Sequence, residues 1–180
     1  MVGQGSCRAP YKRPEGPTQT VKQPENSSII EPGRKHPAAG VRIGVGQSTF
    51  VLLTVCTKDR QPWLACVEAH KLLKSIWQTA DKWLVGNYVL MPDHLHCLVA
   101  PQVLDFPFDP WVTYWKSQFS KGHAHENWRW QTDEHHHRLR NGDNYSEKWA
   151  YVRNNPFRHG LVKNPDDWPY QGVVHDIRWS

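Results

Sequence analysis

The sequence predicts an α+β fold, a ferredoxin-like antiparallel sheet with helices packed on one face, and three observations carry that expectation. From about residue 49 onward, strand-like and helical runs follow one another in the order β-α-β-β-α-β-α. Two of the strand-like runs are separated only by Pro92–Asp93, a spacing that fits a tight hairpin. The stretch before about residue 40 differs from all of this. Pro10, Pro14, Pro17, Pro24, Pro32 and Pro37 sit there among Gly, Ser, Lys and Gln with no apolar periodicity. Such a stretch buries too little surface to offset its ordering entropy, so residues 1–40 are expected to form a flexible tail and residues 41–180 the folded domain.

Within that domain, Thr49–Cys56 is β-rich and reads as the first strand. Pro62 breaks the run. From Ala65 to about Ala80 the spacing turns helical, with Cys66, Ala69, Leu73, Ile76, Trp77 and Ala80 on one side. Trp83–Met91 and His94–Ala100 are the two arms of the hairpin. A Pro-rich loop at 101–110 leads into a basic helix from Trp111 to about His123. Trp128–Arg140 reads as another strand, although it contains three consecutive histidines. Asn141–Gly142–Asp143 is a turn signal, and Asn144-x-x-Glu147 has the spacing of a capping box that starts a last helix reaching about Asn154.

Composition narrows the partners. A net charge of +5 and a pI near 9.1 favour an anionic partner, with nucleic acid the commonest. Ten tryptophans are many for 180 residues. Most are expected in the core, but Trp111, Tyr114 and Trp115 around Lys116 have the character of a stacking surface for unpaired bases. Cys7, Cys56, Cys66 and Cys97 are too scattered for a metal knuckle or a disulfide framework, which suits a reducing compartment. No apolar run approaches the roughly 18 to 20 residues that a membrane span needs, and none follows a basic leader. A cytoplasmic protein with no membrane partner is therefore expected.

Two constellations carry chemistry. His94–Leu95–His96 lies on a strand, where side chains alternate, so both imidazoles point to one face and Leu95 to the other. Two imidazoles so placed can share one metal ion, or can simply be hydrogen-bonded on a half-buried face. Of His135–His136–His137, only one face of the strand can approach such a site. On the last helix, Tyr145, Trp149 and Val152 form an i, i+4, i+7 stripe and predict the buried side. Tyr151 lies roughly 120° from the centre of that stripe, and Asn155 about 40° from Tyr151. A phenol and an amide therefore share a face that is not the main packing face. Pro156 disfavours helical geometry at Asn155, so the helix is expected to end there.

Taken together, Met91–Pro92–Asp93–His94–Leu95–His96 and Tyr151–Val152–Arg153–Asn154–Asn155–Pro156–Phe157–Arg158–His159–Gly160–Leu161–Val162 resemble the REP-associated tyrosine transposases, a branch of the HUH single-strand transposases. Cys56–Leu64 and Asp167–Trp168–Pro169–Tyr170 extend the resemblance, which covers roughly residues 48–180. It implies a metal site at His94, His96 and Asn155 for Mg²⁺ or Mn²⁺, with Tyr151 as nucleophile. It further implies DNA cleavage and strand transfer through a 5′-phosphotyrosine on single-stranded hairpin DNA. The implied setting is the bacterial nucleoid, and relatives act as monomers or homodimers. The strand before the tyrosine helix departs from the family pattern at Glu134 and His136, where relatives often carry an aromatic and an acid. Lys116, Lys121, Arg129, Arg138, Arg140, Arg153 and Arg158 are the candidates for holding backbone phosphates. The alternatives are a domesticated hairpin-binding protein that no longer cleaves, and a hydrolase that uses metal-activated water.

Overall fold

The computed structural model describes residues 50–139 and 142–177. The expected tail at residues 1–40 lies outside them, as does Arg140. The described chain runs β1 (Phe50–Thr57), α1 (Val67–Thr79), β2 (Trp83–Leu90), β3 (His94–Pro101), α2 (Phe108–Lys121), β4 (Trp130–Leu139), α3 (Gly142–Arg153), α4 (Asn155–Arg158) and β5 (Gln171–Val173). The strands form one sheet in the order β4-β1-β3-β2-β5, with every neighbouring pair antiparallel. Strand β3 separates β1 from β2, which are joined through α1. This is the split β-α-β arrangement of a ferredoxin-like sheet.

Strand alternation divides the apolar side chains between two layers. On one face, Leu53, Val55, Leu95, Cys97 and Val99 meet α1 and α2, which contribute Leu73, Ile76, Trp77, Trp111, Trp115 and Phe119. Burying each such large side chain contributes about 1.5–3 kcal/mol, so this layer dominates stability. The indoles of Trp83 and Trp111 are satisfied as they are buried, donating to the carbonyls of Phe106 at 3.0 Å and Ala80 at 2.8 Å. All six residues read as the buried side of α1 or its flanks are indeed buried. Trp111 and Trp115 are buried too, so neither can stack on a base; of that trio only Tyr114 is exposed.

The other face carries Phe50, Leu98 and Leu139, against which Tyr145 and Trp149 of α3 pack. Val152, one turn further on, joins Val89 and Met91 of the hairpin and Trp168. The expected stripe of Tyr145, Trp149 and Val152 is thus the docking side of α3. Helices α1 and α2 share one face; α3 is placed on the opposite one because β1 and β3 offer apolar residues at both alternations.

Three further differences have local causes. Helix α2 begins at Phe108, within the expected loop, because Pro110 falls in its first turn, where no amide donor is required. Helix α3 begins at Gly142, so Asn144 lies inside its first turn. The short strand β5 gave no sequence signal; the Trp168 indole donates to the Leu90 carbonyl at 2.9 Å and the Leu90 amide to the Tyr170 carbonyl at 2.8 Å, which brings it beside β2.

Candidate active site on the second sheet face

The hairpin turn is closed by the Met91 amide donating to the His94 carbonyl at 2.8 Å. From there β3 carries His94 and His96 on the same face as Leu98, the face that α3 covers. The two rings lie 4.9 Å apart between centroids and nearly perpendicular, at 85°. Each is held by its Nδ1. His94 Nδ1 is 2.7 Å from Asp93 Oδ1, and His96 Nδ1 is 2.8 Å from Thr54 Oγ1. When Nδ1 carries the proton and donates to these oxygens, the Nε2 lone pairs of both rings are left as acceptors, the form in which imidazole binds a metal ion.

Electrostatics favours that form at His96. Burial, then the charges of His94 and Arg60, depress its pKa to about 3, so the ring is neutral across the physiological range. Burial would raise the pKa of Asp93. The hydrogen bond from His94, together with the charges of His94 and Arg60, outweighs burial and holds the carboxyl below its ordinary value. Thr54 pairs with His96 on one side in the sheet and with His135 on the other, so His135 shares the face of the pair. His136 points the opposite way, its ring 5.3 Å from Phe108. As the strand period required, one side of the histidine run turns toward the pair and the other does not.

The tyrosine helix ends over this face. Val152 packs with Val89, and Val89 is the register partner of His96 on β2. Tyr151 is 59% exposed, off the packed stripe, and the Arg158 guanidinium carbon lies 4.2 Å from its ring centroid. Helical hydrogen bonding persists past Pro156, with Arg158 donating to the Asn154 carbonyl and His159 to that of Asn155. The helix is therefore interrupted at Asn154 and resumes as α4, rather than ending. Gly160, at φ 68°, then turns the chain away in the left-handed region that glycine adopts without strain. Asn155 is buried, and its amide makes no hydrogen bond among the described residues. Its i+4 neighbour His159 lies close enough for its charge to act on His96.

The basic residues separate. Arg158 is beside Tyr151, and Lys121 is exposed at the end of α2. Arg153 is paired with Asp166. Lys116 is turned inward, its ammonium bound to the carbonyls of Gln131 and Thr132 and to Glu134. Arg138 is half-buried on β4 beside Val51, and the Arg129 Nε donates to the Glu126 carbonyl. Thr54, Arg60 and His159 were missed in the sequence. For Thr54 and His159 a signal existed: a hydroxyl on the neighbouring strand, and an imidazole one helical turn beyond Asn155.

Comparison with known proteins gives a consistent result. A REP-associated tyrosine transposase of Escherichia coli K12 is 30% identical over 93 residues, 52% of this chain and 56% of that protein. A Haemophilus influenzae protein carrying the same family name is 26% identical over 102 residues, 49% of this chain and 58% of that protein. A solved structure of a REP-associated tyrosine transposase bound to a REP hairpin shares the fold, with a TM-score of 0.63 at 22% identity, over 81% of this chain and 95% of that one. The chain is similar to the REP-associated tyrosine transposases. It spans a little over half the length of the two curated transposases, and no protein-family model matches it. Among the described residues no helix is long and apolar enough to cross a membrane.

Proposed function

We propose that the chain is a metal-dependent single-strand DNA endonuclease and strand transferase that acts on hairpin DNA through Tyr151. The observation that carries this reading is the pairing, on one sheet face, of two imidazoles oriented by their Nδ1 atoms with an exposed tyrosine that the core does not use. Its similarity to transposases, together with a shared fold with one bound to a REP hairpin, supports hairpin DNA as the substrate class.

The donor set fits a divalent ion such as Mg²⁺ or Mn²⁺. Among the described residues no three His, Cys, Asp or Glu side chains gather to hold a metal, so a site here draws on His94, His96 and a neutral oxygen. The buried side-chain amide of Asn155, which makes no hydrogen bond among the described residues, would supply that oxygen. Such an ion, held by ligands that bring no negative charge, supplies Lewis-acid polarisation of a phosphate oxygen.

The remaining chemistry belongs to the chain. The Tyr151 oxygen attacks phosphorus and loses its proton as the new P–O bond forms; the bond from phosphorus to the preceding O3′ breaks, and that oxygen leaves as a 3′-OH. The energy of the phosphodiester is kept in the phosphotyrosine, so a later 3′-OH can reseal DNA without ATP. Arg158, over the phenol, places a positive charge where phosphate must approach.

The test is incubation with labelled single-stranded hairpin DNA and Mn²⁺, followed by denaturing electrophoresis of wild type and Tyr151→Phe. A covalent adduct in wild type alone is expected. Cleavage that survives in Tyr151→Phe would sink the tyrosine mechanism in favour of activated water, and hairpin binding with no adduct in either would leave a non-cleaving binder.

A further inference from the structure

Immediately after β1 the chain makes a turn that costs conformational energy. Asp59 and Arg60 adopt φ of 53° and 55°, and among the described residues they are the only non-glycine positions with positive φ. Side chains avoid this left-handed region unless something nearby holds them there. The surroundings show what is held. Buried Thr57 grips the hairpin turn twice, its amide and its hydroxyl each donating to the Asp93 carbonyl at 3.0 Å. Three residues later Arg60 reaches the same residue from the other side, its Nη1 lying 3.5 Å from Asp93 Oδ2. The remaining oxygen, Oδ1, is the one that receives His94 Nδ1 at 2.7 Å. A carboxylate with one oxygen on an imidazole and the other in solvent can rotate away. With both oxygens engaged its rotation is restrained.

We propose that Arg60 is a positioning residue of the metal centre, acting through Asp93 to hold the ring of His94 with Nε2 presented to the ion. The inference rests on the metal reading of His94 and His96 given above. It assigns a purpose to the strained turn, which is to bring a cation to the outer oxygen of a carboxylate that the hairpin alone leaves free on one side.

Sign separates this role from a purely electrostatic one. The charge of Arg60 reaches His96, where it opposes a second positive charge. Acting only through space, Arg60 would repel a divalent ion, and removing it would tighten metal binding. Acting through Asp93, it organises a ligand, and removing it weakens binding. The two predictions have opposite directions.

The experiment is a titration of the full chain with Mn²⁺, without DNA, followed by loss of the free-ion EPR signal. It compares wild type, Arg60→Gln, Arg60→Lys, Asp93→Asn and the double variant Arg60→Gln with Asp93→Asn. Glutamine at position 60 meets the same left-handed backbone as arginine, so the strain is left in place and only the charge is lost. Arg60→Gln should bind Mn²⁺ about 3- to 10-fold more weakly and Asp93→Asn about 10- to 100-fold more weakly, the range seen when partners of metal-binding imidazoles are removed. Arg60→Lys should recover part of the loss. In the double variant, loss of Arg60 should add nothing to loss of Asp93. Unchanged or tighter binding in Arg60→Gln overturns the inference, as does an effect that persists in the Asp93→Asn background. Absence of Mn²⁺ binding in wild type overturns the metal reading itself, a result distinct from any difference among the variants.

Discussion

Thr54 and Asp93 each hold the Nδ1 of one histidine, and the chemistry left to the pair depends on those two oxygens. Thr54→Val keeps the shape of the side chain and removes the hydroxyl. It should weaken Mn²⁺ binding about tenfold, because His96 loses the partner that sets its tautomer, while hairpin binding in EDTA is unchanged; parallel EPR and DNA-binding titrations check this. A second histidine shows the same dependence on its setting without any part in the site. His70 Nε2 lies 2.7 Å from the hydroxyl of Tyr88, whose pKa burial pushes up to about 12. Burial and then Lys74 hold the pKa of His70 below its ordinary 6.5. A base whose folded-state pKa is depressed binds more protons when unfolded, so its stabilisation is present above that ordinary pKa and is lost as pH falls from there through the lowered folded-state value. Wild type should lose more stability to urea between pH 7 and pH 5 than His70→Gln, which keeps an acceptor for Tyr88 and cannot titrate. The histidine pair and Tyr151 were legible in the sequence because strand and helix periods fix which way side chains point. The contact of Arg60 with Asp93 was not legible, since a left-handed turn without glycine leaves no compositional trace.

At the scale of single elements, β4 shows how an edge strand is closed off. Opposite Cys56 of β1 the register slips, so that residues 131–133 of β4 bulge outward between the Val55 and Thr57 pairings. Lys116 of α2 fills the bulge, donating to the Gln131 and Thr132 carbonyls at 2.8 and 3.2 Å and meeting Glu134 at 3.3 Å, with both side chains largely buried. The sequence offered Lys116 as a phosphate contact because a basic helix with aromatic neighbours looks the same whether its lysine faces solvent or a bulged strand. Lys116→Met should cost about 1–3 kcal/mol in chemical denaturation, since it strands a carboxylate and two carbonyls. The salt dependence of hairpin binding should not change, whereas a lost phosphate contact would lower its slope. The hairpin and α1 were legible in detail, the first from Pro92–Asp93 and the second from its apolar spacing. Strand β5 was not, because Gln171–Gly172–Val173 is too short to show a period and is placed by tertiary bonds from Trp168 and Tyr170.

The molecule as a whole has unequal layers. The α1–α2 face is a continuous cluster that includes four wholly buried tryptophans and Phe119, whereas α3 docks through two small groups centred on Leu98 and on Val152. Local opening follows buried apolar contact, so the helix carrying Tyr151 belongs to the less stable side. Native-state hydrogen exchange should show the amides of α3 opening at lower free energy than those of α1 or α2. Uniform protection across the three helices would contradict this. The ferredoxin-like plan could be read from the order of elements, yet the division of helices between faces could not, because Phe50 and Leu98 sit in strands apolar on both alternations.

The sheet order places β4 at one edge and β5 at the other, and the chain passes between them through α3 and α4. Four interstrand steps of about 4.8 Å make that crossing roughly 19 Å wide. Tyr151 therefore rides toward the β2–β5 side of a girder with an abutment at each border of the sheet, not on a cantilever. A nucleic-acid strand covalently held there and pulled from outside would load both abutments at once. Peeling, the easiest way to strip a helix from a surface, needs a free end, and this span offers none.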